Sequence, residues 1–538
     1  MAYYQDLREY LQALDNWGKL RRVRRLINKD TELHPLVRWQ FRGLEESQRT
    51  GWLFEKVTDL AGKNYDGQVA TAILGATREI YGFGLQGPAE AIWDRWQAAY
   101  AKPIEPTRER TGPCKEIIQQ GEELTRRGGL FQFPVPISTN GWEALPRLTA
   151  VSWVTKDPDT GTQNIGTYNG YVLGQTRASC RLQATAHLRR HLEIARRRGC
   201  PLEAAMVIGA VPAVCMASTT RLPYGLPELS IAGGLANEPI PVVRCETVDL
   251  EVPATAEIVI EGEIDPNWVE PDAPSGEHTG YMIVGAEVNV FTARCITHRR
   301  DPIWHDFISQ MPPSESSTLR GIGLEGTVVS FLRKDCGIPE IKSVVLHPEG
   351  GSWRIMAIQF QELGGKRPLP SVVWQALYAC MGKHPDYPKI VIAVDEDIDP
   401  QDLSSIMWAL AFRFQPHRDM KVLQGRTAQL DQSAMPQGHE YTSSWITNLG
   451  GPMGASAMLL DATRKWPYTP VCLPKRPYME RARGIWEELG LPQLKPREPW
   501  YGYDLGAWPN EFAEMAALGE SGQFEEAAKR LKKGGHSL

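Results

Sequence analysis

Asn164-Ile-Gly-Thr-Tyr-Asn169 is followed by His187 in an arginine-rich segment, by Pro227-Glu228-Leu229, and by Asp272-Ala-Pro-Ser-Gly-Glu277-His-Thr-Gly-Tyr281. These four segments set one amide, one imidazole and several carboxylates within an otherwise apolar, strand-forming stretch. An amide oxygen, an imidazole nitrogen and a carboxylate make a mixed N/O donor set that suits Mn²⁺, Mg²⁺ or Fe²⁺; softer metals prefer sulfur. The remaining carboxylates are then available to move protons.

A chain of 538 residues exceeds one small core, so two or three domains are expected. Hydrophobic content of 42% and charged content of 23% are those of an ordinary globular protein. A net charge of −5 argues against nucleic acid as a partner. No apolar run approaches the ~20 residues of a membrane helix, and Met-Ala-Tyr-Tyr-Gln-Asp lacks the pattern of a secretory signal. Nine scattered cysteines without a CxxC pair suit reduced thiols, so a cytoplasmic protein with no membrane partner is expected.

Leu7, Tyr10, Leu11 and Leu14 recur at helical spacing, which predicts an amphipathic opening helix over residues 3–17. Residues 20–26 read as a short strand and 90–100 as a helix. From Arg147 to about His298 the pattern is mostly strand, interrupted by one helix over 176–198 that ends at Gly199. Beyond Ser316, strands such as Ile341–Leu346 and 389–394 alternate with a helix near 402–413, and the chain turns helical and charged after Lys475. The expected units are residues 1–115 as an N-terminal segment, 116–315, 316–475 as an α/β layer, and 476–538 as a helical tail.

His187 and His191 are four apart on one helix face, but an HExxH metalloprotease site needs Glu where Leu188 stands. Most of the arginines from 177 to 198 read as a solvated basic face. Arg181 is singled out because it falls near the predicted helix start, where phosphate is well received. Asp272 and Glu277 flank a Pro-Ser-Gly turn, and Gly276 and Gly280 permit close approach to a planar group. A carboxyl group buried beside such a group is expected to have a raised pKa, as a proton donor requires. Asp395-Glu-Asp-Ile-Asp399 lacks the glycine and closing glutamate of a calcium loop, so capping and strand-end solvation are expected. There is no GxSxG elbow, and the glycine pairs fit no phosphate loop.

The order of these segments resembles the UbiD family of prenylated-FMN-dependent decarboxylases. The resemblance extends over Asp6–Leu14, Asn164–Tyr168, Pro227–Gly233, Val252–Gly262, Gly276–Tyr281, Val394–Asp399, Trp408–Arg413 and Asp461–Arg464. It implies an α/β protein of α+β character, with a split β-barrel cofactor domain resembling flavin reductases and an α/β oligomerisation domain. It also implies Asn164, His187 and Glu228 as ligands of a divalent metal (Mn²⁺, Fe²⁺ or Mg²⁺) that bridges to the phosphate of prenylated FMN, with K⁺ alongside. Cofactor contacts are carried over to Asn164, Thr167, Tyr168, Asn169, Arg181, Gln183 and His187, and a phosphate contact to Lys389. Glu277 matches the group that protonates the product and Asp272 its acidic partner, while Arg426 and Asp461 match a structural pair near potassium. A homo-oligomer, from dimer to hexamer, is implied as well.

One position departs from the family. Members place arginine after the tyrosine, in a network with the two acids, and this chain has Asn169. Asparagine supplies no cation, so Asn169 is expected to hydrogen-bond a substrate oxygen, and a substrate carrying its own activation is expected. An aromatic acid held as a coenzyme A thioester meets that need, which points to phthaloyl-CoA as substrate and benzoyl-CoA plus CO₂ as products. A free aryl acid or phenol derivative, or a non-catalytic flavin-binding subunit of a carboxylase assembly, are the alternatives.

Overall fold

The computed structural model describes residues 2–182, 186–284, 287–309, 311–384, 388–426, 430–434, 455–492, 494 and 505–533. Its centre is an antiparallel sheet ordered Gln163–Thr167, Ser152–Lys156, Leu202–Ile208, Ile258–Pro271, Glu287–His298 and Arg177–Cys180, with Ile117–Gln120 also pairing to Glu287–His298. The sheet is an open path whose two edge strands, Gln163–Thr167 and Arg177–Cys180, are separated in the chain by the short strand Gly170–Tyr171. The connection folds back so that the Arg181 amide donates to the Asn169 carbonyl at 2.9 Å.

The central strands are apolar on both faces: Ile258, Val259 and Ile260 are all buried. The helix His187–Arg198 packs on one face, where Thr155 meets His191, and Pro212–Thr219 on the other, where Ser152 meets Ser218. The N-terminal segment packs beside Pro212–Thr219, with the Ala213 amide donating to the Tyr3 hydroxyl at 2.9 Å. There, the Leu7–Asn16 helix starts where the Asp6 carboxylate accepts from the Glu9 amide at 2.8 Å, and it buries Leu7, Tyr10, Leu11 and Leu14. Arg8 fixes it to the sheet by forking onto Glu257, with both N–O distances at 2.8 Å. A second sheet, Leu20–Val23, Gly51–Phe54, Gln68–Thr71 and Ile303–Asp306, joins this segment to the far end of the central domain. One continuous apolar core therefore runs from Tyr3 to Ile322.

The Glu315–Ser330 helix leads into a mixed five-stranded sheet ordered Ile341–Leu346, Ile355–Phe360, Ile390–Val394, Ala455–Asp461 and Met420–Arg426, which has its own core. The tail forms helices Arg476–Glu488, Asn510–Glu520 and Phe524–Lys533, none with a buried residue in its first two members. Among the described residues no helix is long and apolar enough to cross a membrane.

The predicted helix over 176–198 is shorter than its pattern. Arg177–Cys180 is an edge strand paired to Asn289–Thr292, and the helix begins at His187. Arg181 thus ends a strand and is not at a helix start. Asp395 and Asp397 are neither capping nor solvated: both are buried against Arg413, at 3.0 and 2.6 Å. A strand-end pair of acids is tolerable there because Arg413 spans both and Arg464 adds a second guanidinium to Asp395 at 3.2 Å.

Candidate active site

A cavity of about 990 Å³ opens where the two edge strands meet, and Asn164, Thr167, Tyr168, Asn169, Arg181, His187, Glu228 and Glu277 all line it. At one end, His187 is the first residue of its helix and Glu228 the first of another, while Asn164 projects from the edge strand. The Asn164 amide lies 2.8 Å from His187 Nδ1 and 3.0 Å from Glu228 Oε1. His187 Nδ1 and Glu228 Oε1 are 3.6 Å apart, and Glu228 Oε2 accepts from the Ile165 amide at 3.0 Å.

Neighbouring donors around an octahedral cation stand about 3 Å apart, so this trio fits one hard divalent ion. In the protein alone the amide is better turned so that its NH₂ donates to both neighbours. A cation would reverse that preference and bring the oxygen inward. Among the described residues no trio of His, Cys, Asp and Glu side chains makes a metal site; the neutral Asn164 ligand is what completes this one.

Beside the trio, Tyr168 is held against the sheet, and a Cβ at Gly166 would lie 2.7 Å from its hydroxyl. Burial pushes the Tyr168 phenol well above its usual range, so it stays neutral. Thr167 Oγ1 is 3.0 Å from Ser218 Oγ. His191 faces away from the cavity onto Thr155 Oγ1 at 2.9 Å, and burial lowers its pKa to about 4. It is a packed, neutral histidine.

At the other end stands an acid network. Arg181 Nε donates to Asp272 Oδ2 at 2.7 Å and Nη1 to Glu277 Oε1 at 2.9 Å, with Ser275 Oγ as a further acceptor. Asn169 leaves no gap in charge here. The guanidinium expected after the tyrosine is supplied by Arg181, whose own backbone is bonded to Asn169. Arg181 is therefore engaged with the two acids and not free for a phosphate.

Arg147 adds a second cation from below. Its Nη1 donates to Glu143 at 2.6 Å and to the Gly276 carbonyl at 2.7 Å, and its Nη2 is 3.6 Å from Glu277. Burial alone would raise the Glu277 pKa, but the His278 ring 3.8 Å away and the charges of Arg181 and Arg147 pull it down to about 2. The expectation of a raised pKa at Glu277 is thus corrected, because two guanidiniums outweigh desolvation. Asp272, which is buried and shares only Arg181 closely, is shifted upward by burial.

Lys389, Arg426 and Asp461 are not brought to the cavity wall. Lys389 Nζ is held by Asp431 and Ser433, both at 2.9 Å, off the lining. Arg426 and Asp461 are not a pair. Arg426 is opposite Ala455 and donates to the Met381 and His384 carbonyls, whereas Asp461 lies six residues further along that strand and pairs with Lys465 at 2.9 Å. Gln183 falls outside the described residues.

Sequence reasoning missed Arg147, His278, Arg320 and Trp353. A lone arginine amid Leu319, Gly321, Ile322, Gly323 and Leu324 was a usable signal for Arg320, and His278 directly follows Glu277 in its turn; Arg147 and Trp353 carry none.

Residues 105–312 match the 3-octaprenyl-4-hydroxybenzoate carboxy-lyase Rift-related domain, and residues 317–461 match the C-terminal domain of that carboxy-lyase. The UbiD-class enzyme HmfF from Pelotomaculum thermopropionicum, solved with FMN, superposes with a TM-score of 0.75 at 29% identity, covering 89% of this chain and 99% of that one. An evolved dimeric form of that enzyme, solved with prenylated FMN, gives a TM-score of 0.73 at 29% identity over 88% and 97%. The vanillic acid decarboxylase of Sedimentibacter hydroxybenzoicus in closed form gives 0.74 at 25% identity over 91% and 100%. With both domain matches together spanning more than half of its length, and arranged around a cavity that joins a hard-metal trio to a paired acid, the chain belongs to the UbiD family of carboxy-lyases.

Proposed function

We propose that the protein is a prenylated-FMN-dependent decarboxylase of aromatic carboxylic acids, and that its substrate is the coenzyme A thioester phthaloyl-CoA, converted to benzoyl-CoA and CO₂. The observation that carries the decarboxylase reading is one cavity with the Asn164–His187–Glu228 trio at one end and Glu277 at the other. The similar HmfF structures hold FMN or prenylated FMN, which supports a flavin between these ends. Asn164, His187 and Glu228 would hold a divalent cation (Mn²⁺, Fe²⁺ or Mg²⁺) against the cofactor phosphate, with Thr167, Tyr168 and Asn169 along its length. Potassium belongs to the same proposal, without residues assigned to it. When bound, the prenylated flavin supplies an electron sink for the pair released as CO₂ departs.

Glu277 is the proton carrier to the vacated ring carbon, and it is ionised in the free protein. An anionic substrate entering the cavity opposes its charge and drives proton uptake, so protonation is coupled to binding. Arg181 keeps the carboxyl group aimed through both states. Glu277→Gln should retain bound flavin, seen by absorbance and mass, and lose turnover by roughly 100-fold or more. Turnover within a few-fold of wild type would reject Glu277 as proton carrier.

The thioester reading no longer draws on a missing cation at Asn169, since Arg181 supplies one. It is supported by Arg189 and Arg196, which line the cavity from the His187 helix and suit CoA phosphates. Comparing phthaloyl-CoA with phthalate as substrates tests it. CO₂ release from the free acid alone would leave the alternative, a free aryl acid or phenol derivative.

A further inference from the structure

We propose that Arg320 is the receptor for the ring carboxylate of the substrate, holding it between Trp353 and Glu277 before CO₂ leaves. The proposal rests on the decarboxylase reading above and names a residue that binds the departing group.

Arg320 sits on the Glu315–Ser330 helix, whose other charges are satisfied internally. Glu315 accepts from the backbone amides of Ala72, Leu74 and Ile308, and Glu325 is paired with Arg78 at 2.7 Å. Arg320 alone turns to the cavity, alongside Glu277, His278 and Trp353. Its guanidinium carbon lies 4.9 Å from the Trp353 ring centroid, and its Nε is buried with no hydrogen-bond partner. Among the described residues it forms no ion pair. Glu277 is already engaged by Arg181 at 2.9 Å and Arg147 at 3.6 Å.

A buried cation without a partner is costly unless its partner arrives with a ligand. Burial lowers the Arg320 pKa to about 10, which leaves it charged at neutral pH. A planar guanidinium matches a carboxylate in two parallel hydrogen bonds, and the indole beside it gives an aromatic ring an apolar surface. The occupant that satisfies both is an aryl carboxylate.

The carboxylate is anionic in the ground state and departs as neutral CO₂, so this ion pair is strongest before the reaction. Arg320 therefore acts mainly on substrate binding, and its loss raises KM by more than it lowers kcat.

The test is calorimetric binding of benzoate and its neutral analogue benzamide to flavin-loaded enzyme. Arg320→Gln should weaken benzoate by about 10- to 100-fold, as expected for one charged hydrogen-bonded pair, and leave benzamide within about threefold. Arg320→Lys, which keeps the charge but not the fork, should fall between. Equal benzoate affinity in wild type and Arg320→Gln overturns the proposal, as does loss of flavin with benzoate binding unchanged. Should Arg320→Gln fail to fold, the benzoate-to-benzamide preference in Arg320→Lys decides: a reduced ratio supports the assignment and an unchanged one overturns it. Binding is read without turnover, so absence of decarboxylation of any aromatic acid would count against the function without deciding the role of Arg320.

Discussion

Arg181 contacts two carboxylates five residues apart, and removing its charge would leave both buried side by side. With Arg181 neutralised, Arg147 at 3.6 Å from Glu277 is the cation left for both acids, so ionising the two together becomes harder. Arg181→Gln should therefore raise the Glu277 pKa and move the alkaline limb of the kcat/KM pH profile upward, with turnover falling by roughly 100-fold as the carboxyl group loses its aim. Arg181→Lys should recover only part of this, since an ammonium cannot fork onto Asp272 and Glu277 together. Placing Arg at 169 in the Arg181→Gln background offers a second check. Partial rescue would show that charge in this space is what counts, and an unmoved pH profile in Arg181→Gln would show that Arg181 does not set the acid. The Asn164 trio gives a simpler outcome: chelation by EDTA should release flavin along with the cation, and His187→Asn should do so without chelator.

The turn from Ser275 to Tyr281 is the element that presents Glu277, and it depends on Gly280. There φ is +93°, and a Cβ would meet Met311 Sδ at 2.8 Å. Gly280→Ala should cost about 1–3 kcal/mol in backbone strain and displace the carboxyl group. Turnover would then drop further than a thermal melt alone implies; wild-type turnover in a destabilised protein would separate the turn from the chemistry. Gly276 and Gly280 were legible as turn glycines because their residue type has a direct backbone meaning. So was the opening helix, with Leu7, Tyr10, Leu11 and Leu14 on one face; Asn164, His187 and Glu228 were singled out by the family resemblance, and the fold brings them within 3.6 Å of one another. Arg177–Cys180 was read as helix because its pairing partners lie more than 100 residues away at Asn289–Thr292, and local periodicity cannot register them. The Glu228–Ala236 helix escaped for the opposite reason. Eight of its nine residues are buried, so it carries no polar face to mark a period. Arg147 reaches Glu277 only through the fold, and nothing in its local sequence announces that.

Across the molecule, burial keeps several histidines neutral, and two of them line the seam between the central and C-terminal domains. The rings of His278 and His384 stand edge-on to Trp353 at 5.6 and 6.0 Å, and the His278 carbonyl would be 2.7 Å from a Cβ at Gly351. Burial, with nearby arginines, lowers His278 to about 4 and His384 to about 3, and burial alone brings His305 to about 4. An unfolded histidine takes up its proton near pH 6.5, so between pH 6.5 and about 4 the unfolded chain binds protons that the folded chain refuses. The histidines' share of stability is thus full above pH 7 and falls as pH drops through this window, each such group adding a slope of about 1.4 kcal/mol per pH unit, while Glu315, raised to about 8 by burial, offsets one group's slope. Glu277 acts lower down: its depressed pKa stabilises the fold above about 4.5 and that share is lost only toward pH 2. Acid should accordingly open the seam first, above the pH at which Glu277 titrates. Melting temperature should decline from pH 6.5, and a tryptophan fluorescence change absent from Trp353→Phe should accompany it. A melting temperature constant down to pH 4.5 would mean that carboxylates alone govern acid stability, and that the neutral imidazoles around Trp353 do not hold the two domains against the cavity.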